Sequence, residues 1–212
     1  MILSHFTLDG RYPSVRQCLS NAHDMHRNVM SGFADLRSNS PRKEQSVLYR
    51  LVPNGNRIHL YVLSKEYPEW LNISKGFMLL QEPKDISDII GTLRNGRHLS
   101  FDLLAIASKK QAREGLNSRR VMLATEEERN DWLSKKANQN GFNILWVRED
   151  GQEKAFVRGK PGCSDATHTG VRFRGELIIS EESLFQKAFC TGIGPGKAYG
   201  MGMLMVMPTR RE

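Results

Sequence analysis

Cysteine is scarce in this 212-residue chain: Cys18, Cys163 and Cys190 are the only three, and no two of them form a C-x-x-C pair. An odd, scattered set argues against a disulfide framework or a thiolate zinc site, and a reducing cytoplasm is the expected home. Cys190 borders a glycine-rich stretch and invites a nucleophilic reading, but a small, half-apolar side chain is the ordinary role of such a residue. Long apolar runs are also missing. No window approaches the roughly 18 uninterrupted apolar residues of a membrane span. The opening Met1-Ile-Leu-Ser-His-Phe-Thr-Leu lacks the charged and apolar regions of a secretory signal, so no membrane association is expected. Acid is in short supply: 23 Asp and Glu stand against 31 Lys and Arg, a formal charge of +8. That excess favours a polyanionic partner without saying what is done to it. With 25% charged and 39% hydrophobic residues the chain is otherwise ordinary for a globular protein, which excludes a disordered tail.

The length allows one large domain or two of about 100 residues each. Residues 1–8 alternate as a strand, and 12–36 carry Val15, Leu19, Ala22, Met25, Val29 and Phe33 at helical spacing. Segments 46–52 and 57–63 flank Pro53-Asn-Gly-Asn56, a hairpin signal. A short helical turn over 67–74 and a strand over 76–81 complete β-α-β-β-α-β, and 83–95 reads as a connector. The same order then repeats. Strand 98–107 precedes a helix over 124–140, with Thr125 and Glu128 as a capping box and Gly141 as its stop. Segments 142–147 and 154–157 read as paired strands, 169–179 as another, Ser180 as the cap of a helix reaching Phe189, and 200–207 as the last strand. The expected fold is α+β: two tandem ferredoxin-like (RRM-like) domains with antiparallel sheets, over 1–90 and 96–212. Fold alone assigns no function.

Three features could carry chemistry. His23-Asp24-Met25-His26-Arg27 puts two histidines three apart on one helix face, about 5–6 Å apart at Cβ, so both can reach one reacting group. Imidazoles titrate near neutrality and serve as acid or base, although two solvated histidines would look the same. No third spaced ligand accompanies them, so no metal or other cofactor is expected. The second feature is Gly192-Ile-Gly-Pro-Gly-Lys-Ala-Tyr-Gly-Met-Gly202, in which Gly192, Gly194, Gly196, Gly200 and Gly202 surround Lys197. Glycines let a backbone approach a phosphate and a lysine adds charge. The P-loop pattern fails because Ala198 replaces its hydroxyl residue; a tight helix-to-strand connection remains the alternative. Third, Lys109, Lys110, Arg113, Arg119 and Arg120 share a loop-like stretch with one acid, Glu114, while Arg158, Lys160, Arg172 and Arg174 flank a long hairpin tip over 159–170. Such clusters suit the backbone or groove of folded RNA, or are simply solvated.

Together these residues resemble the CasE family, the CRISPR repeat-processing endoribonucleases of the type I-E Cascade complex. The glycine-rich string carries most of the likeness: its family form is G-[IV]-G-P-[GA]-K-[AS]-x-G-x-G-L-L, and only Met203 departs from it. The resemblance covers nearly the whole chain. It implies a metal-independent ribonuclease that cuts CRISPR precursor RNA at the base of the repeat stem-loop. A 2′-hydroxyl attacks the adjacent phosphate, leaving a 2′,3′-cyclic phosphate and a 5′-hydroxyl, and the product stays bound.

By position the family histidine is His26, and His23 stands where a tyrosine is usual. The pair is then the expected acid and base, with Arg27 and Lys197 as candidate cations for the phosphorane oxygens. Arg158, Lys160 and Arg172 are expected RNA contacts, joined by Lys109, Lys110 and Arg113. Ser31 occupies a position that is basic in some relatives, and Phe101-Asp-Leu-Leu-Ala-Ile106 stands where relatives read Phe-Arg-Leu-Arg-Ala-Asn. The implied partners are the repeat RNA stem-loop and other Cascade subunits. The competing reading is a non-catalytic subunit that binds the RNA hairpin without cutting it.

Overall fold

A computed structural model of the chain describes residues 1–33, 46–113, 116–159 and 164–209, without the side chains of 112–119. Strands β1 (Ile2–Leu8), β2 (Leu48–Asn54), β3 (Arg57–Ser64) and β4 (Phe77–Leu79) form an antiparallel sheet in the order β2-β3-β1-β4. This is the ferredoxin-like arrangement. A 3-10 turn, Trp70–Asn72, replaces the second helix. Alternation along β1 sends Phe6 and Leu8 inward against Val15, Met25 and Val29 of the helices.

The single helix expected over 12–36 is two: α1 (Pro13–Ser20) and α2 (Ala22–Met30). They meet at Asn21, which is extended at φ −141° and ψ 108°. An asparagine side chain competes for backbone hydrogen bonds and starts a helix better than it continues one. Residues 34–36 of that expectation lie outside the described residues. The 83–95 connector also holds structure, a two-residue strand β5 (Lys84–Asp85) beside β1 and a short helix α3 (Ser87–Gly91).

The second sheet repeats the topology. Its strands are β6 (His98–Ala105), β9 (Phe142–Val157), β10 (Ala166–Ile179) and β11 (Leu204–Pro208), in the order β11-β6-β10-β9. Helices α4 (Glu126–Gln139) and α5 (Glu182–Thr191) accompany it. The Thr125–Glu128 capping box forms in both directions. Helix α5 is capped by Glu181, whose carboxylate accepts the Ser183 N–H, rather than by Ser180.

Two further expectations change. Segments 142–147 and 154–157 are not partners but one 16-residue strand, β9, paired throughout with β10. Asp150-Gly151, which reads as a turn, lies at a register shift with Gly151 at φ +89°, a bulge that bends the strand without reversing it. The basic stretch expected as a loop is a ribbon of β7 (Ser108–Arg113) and β8 (Leu116–Met122). It pairs only within itself as a two-stranded sheet, so its strands need no apolar alternation.

The larger core crosses between the sheets, joining Leu48, Leu63 and Ile86 to Phe101, Phe189 and Ile193. Among the described residues no helix is long and apolar enough to cross a membrane.

Candidate active site and RNA-facing surface

Helix α2 owes its placement to Met25 and Val29, which are buried beneath it and contribute about 1.5–3 kcal/mol each. Its opposite side carries His23, exposed, and His26, half-buried. Asn21 starts the helix. Its side-chain oxygen accepts the His23 N–H at 3.2 Å and the Arg158 N–H at 3.3 Å, while its amide nitrogen donates to Asp24 at 3.0 Å. One buried asparagine thus joins the histidine helix to the end of β9, where the basic hairpin begins. Asparagine is a favoured helix cap, but apolar spacing runs on through this one and leaves it without a signal in the sequence.

Asp24 also accepts from Gln17 at 3.1 Å and from the Arg27 guanidinium. Burial pushes its carboxyl up, yet the hydrogen bonds from Arg27, Gln17 and Asn21 prevail and hold it below the ordinary value. Arg27 remains two-thirds exposed. A surface pair of this kind is worth at most about 1 kcal/mol, so Arg27 can turn to a phosphate. Replacing Asn21 with alanine is expected to cost about 1 kcal/mol, the value of a helix cap, read from the urea midpoint. Asn21→Ser keeps a capping oxygen on a shorter arm; it should recover that stability while leaving the Arg158 clip unmade.

The glycine-rich loop is a folded connection rather than an open phosphate cradle. Its five glycines have φ between 76° and 87°. A Cβ on Gly200 would lie 2.9 Å from the Tyr49 ring and one on Gly192 2.8 Å from the Gly202 oxygen, so close packing requires glycine at both. The Gly202 N–H bonds to the Leu104 carbonyl at 2.7 Å and the Ile193 N–H to the Gly202 carbonyl at 2.8 Å. Tyr49, buried on β2, donates its hydroxyl to the Ala198 carbonyl at 3.0 Å. The loop is therefore fastened to both sheets, and its 3-10 turn, Lys197–Tyr199, packs against α2. The turn that starts at half-buried Lys197 thus sits beside the helix that carries the histidines.

Other expected contacts are dispersed. Arg158 is exposed beside this region, and Lys160 lies outside the described residues. Lys110 is exposed on β7, and Lys109 is paired with Glu128 of α4 at 3.1 Å. The Arg113 backbone belongs to β7, but its side chain, like that of Arg119, is outside the described residues.

Arg172 is engaged inside the protein. Its Nε lies 2.9 Å and its Nη2 2.5 Å from Asp102, with the side chain only 14% exposed, so its guanidinium is spent within the protein. Arg174 bonds to the same carboxylate at 3.0 Å. Arg50, 1% exposed, makes a two-pronged pair with Glu153 at 2.8 and 3.0 Å and stands 3.9 Å from Asp102. Burial raises the Asp102 carboxyl, but the bonds from Arg172 and Arg174 outweigh it and hold it below its ordinary value. The acid that departs from the family pattern thus gathers arginines from both sheets.

The two described thiols, Cys18 and Cys190, carry no sign of activation. Burial pushes Cys18 up to about 11, and burial raises Cys190 as well. Cys163 is outside the described residues. Among the described residues no group of three or more His, Cys, Asp or Glu is placed to hold a metal ion.

Comparison with known proteins places the chain as a whole. A curated relative, the CRISPR-associated endoribonuclease Cse3 of Thermus thermophilus, is 28% identical over 220 residues, covering 98% of this chain and 100% of the relative. A solved structure of CRISPR endoribonuclease Cse3 bound to a 19-nucleotide RNA superposes with a TM-score of 0.83 at 27% identity, covering 98% of this chain and 100% of the other. A chain of a CRISPR RNA-guided surveillance complex in a pre-nicking state shares the fold, with a TM-score of 0.74 at 24% identity over 99% and 100%. A model of the CRISPR associated protein family matches residues 1–208, nearly the whole of this α+β chain with its paired ferredoxin-like sheets, and the chain belongs to that family.

Proposed function

We propose that this protein is an endoribonuclease that cuts CRISPR precursor RNA at the base of the repeat stem-loop, without a metal, and keeps the matured RNA as a Cascade subunit in the cytoplasm. One observation carries the reading. Helix α2, with His23 and His26 on one side, lies against the turn that begins at Lys197 and is tied through Asn21 to Arg158. The elements that carry the acid/base groups, a cation and the start of a basic hairpin therefore adjoin one another.

In the proposed reaction one imidazole takes the proton of the 2′-hydroxyl and the other protonates the departing 5′ oxygen. Arg27 and Lys197 balance charge on the phosphorane. The labour divides between the units, residues 1–90 supplying the histidines and 96–212 the RNA-holding surface. There Arg158 and Lys160 serve the stem, and Lys109, Lys110 and Arg113 its backbone. Arg172 is assigned to the Asp102 pairing instead. A handful of phosphate contacts gives tight, salt-sensitive binding, as product retention requires.

The test is incubation of the pure protein with repeat hairpin RNA in EDTA. Products ending in a 2′,3′-cyclic phosphate and a 5′-hydroxyl support the proposal. Binding without cleavage would make the protein a non-catalytic RNA hairpin-binding subunit, a reading favoured only by Ser31 at a position basic in some relatives and Asp102 at one that is usually arginine. Cleavage abolished by EDTA would overturn the metal-independent chemistry.

A further inference from the structure

His168 of β10 and Tyr199 of the glycine-rich loop are stacked ring on ring, with centroids 4.8 Å apart and planes 14° from parallel. Both are half-buried. They are far apart in sequence, and neither belongs to a core cluster. His168 stands opposite Ala155 in the β9–β10 ladder, and Ala155 packs with Leu104, Ile106 and Met201 in a small apolar cluster, so the stack rides above that cluster. Its footing is rigid. Tyr199 closes the turn whose Ala198 carbonyl is held by Tyr49, and its own N–H bonds to the Gly196 carbonyl at 2.8 Å.

Two surroundings give the stack a use. Tyr199 lines a narrow cavity together with Ala22 and Met25 of α2, the residues immediately before His23 and His26, so the tyrosine side of the stack borders the histidine helix. Lys154 lines the same cavity and, like Arg158, is exposed on or just beyond β9. Flat rings held in place, with cations beside them, are the combination on which unpaired bases stack while their phosphates are neutralised. A cut by 2′-hydroxyl attack also needs the attacking oxygen, phosphorus and leaving oxygen roughly in line. A stacked helical strand does not hold them so, and a base drawn aside onto a fixed surface helps create that alignment.

We propose that the His168–Tyr199 stack is a shelf for one unpaired nucleobase flanking the scissile phosphate, which sets the backbone of that nucleotide for cleavage. The inference rests on the proposed ribonuclease function for its meaning, but its test does not need turnover. Repeat hairpin RNA is made with deoxyribose at the cut, so that no 2′-hydroxyl can attack. The fluorescent base 2-aminopurine is then placed in turn at each unpaired position flanking the stem.

Binding to the full chain should quench the probe at one flanking position severalfold, and Tyr199→Phe should preserve the quench. Tyr199→Ala and His168→Ala should each abolish most of it while the RNA stays bound. An equal quench in the wild type and both alanine variants, or none at any position, overturns the shelf. With cleavable RNA, an abasic nucleotide at the quenched position should slow wild-type cleavage about tenfold, the scale of one base stack. The same lesion should then cost Tyr199→Ala little more. Full, multiplying losses would overturn the inference while leaving the nuclease intact, whereas quenching by a protein that never cuts would refute the nuclease and keep the shelf.

Discussion

His26→Ala is expected to slow single-turnover cleavage about 10³-fold, the scale of losing one general acid or base, while binding of uncleavable repeat RNA stays within a few fold. Affinity should be spared because phosphate contacts, not the imidazole, supply most of it. Wild-type cleavage should follow a bell-shaped pH profile, with one histidine needed neutral and the other charged. His23→Tyr then identifies the roles, because a phenol titrates near pH 10 rather than 6.5. If His23 is the acid, the alkaline limb moves upward and activity at neutrality is largely kept. If His23 is the base, the acidic limb moves upward and activity at neutrality falls. Unchanged cleavage by His26→Ala would remove the histidine mechanism altogether.

The second large effect lies away from the chemistry. Arg50→Ala is expected to destabilise the fold by about 3 kcal/mol, because it leaves Glu153 without its two-pronged partner and removes the buried guanidinium that links it to Asp102, which keeps Arg172 and Arg174. The figure belongs at the low end of the range for buried pairs, since the Glu153 side chain is 36% exposed. The urea midpoint should drop with an unchanged slope. Replacing Arg50 and Glu153 together by apolar residues of similar size, with Asp102 left to Arg172 and Arg174, should restore much of the loss.

Acid should probe the same cluster. The folded Asp102 carboxyl lies below its ordinary value of 3.8, so as pH falls the unfolded chain takes up the proton first. Its contribution is present above pH 3.8 and is lost as pH drops from there through the lower folded value. Asp102→Asn should flatten that part of the stability curve.

These expectations mark how much is legible along the chain. Helix α4 is, because Thr125, Glu128 and Gly141 signal its two ends directly. The tandem order is as well, since period-2 and period-3.6 patterns alternate along the chain. The extent of β9 is not, because Asp-Gly serves a bulge as readily as a turn, and only the partner strand decides which. The helix break at Asn21 is hidden because apolar spacing runs on through it, from Leu19 to Met25.

The same division holds at the candidate site. His23 and His26 share a face by helix geometry alone, and the glycine-rich string is a contiguous signature, so the amino-acid sequence already carried the family, the α+β order and the imidazole pair. Which cations are spent in ion pairs was beyond it. Arg172 reads as a solvent-exposed contact beside a loop, but Asp102 lies 70 residues away and claims it. Arg50 has nothing nearby to mark it as buried, and its partner Glu153 is 103 residues distant. Local order follows from neighbours in the chain, which a reading along the sequence can see. Ion pairs, ring stacks and the docking of the glycine-rich loop depend on segments brought together only when both sheets close, so the tertiary structure alone decided them.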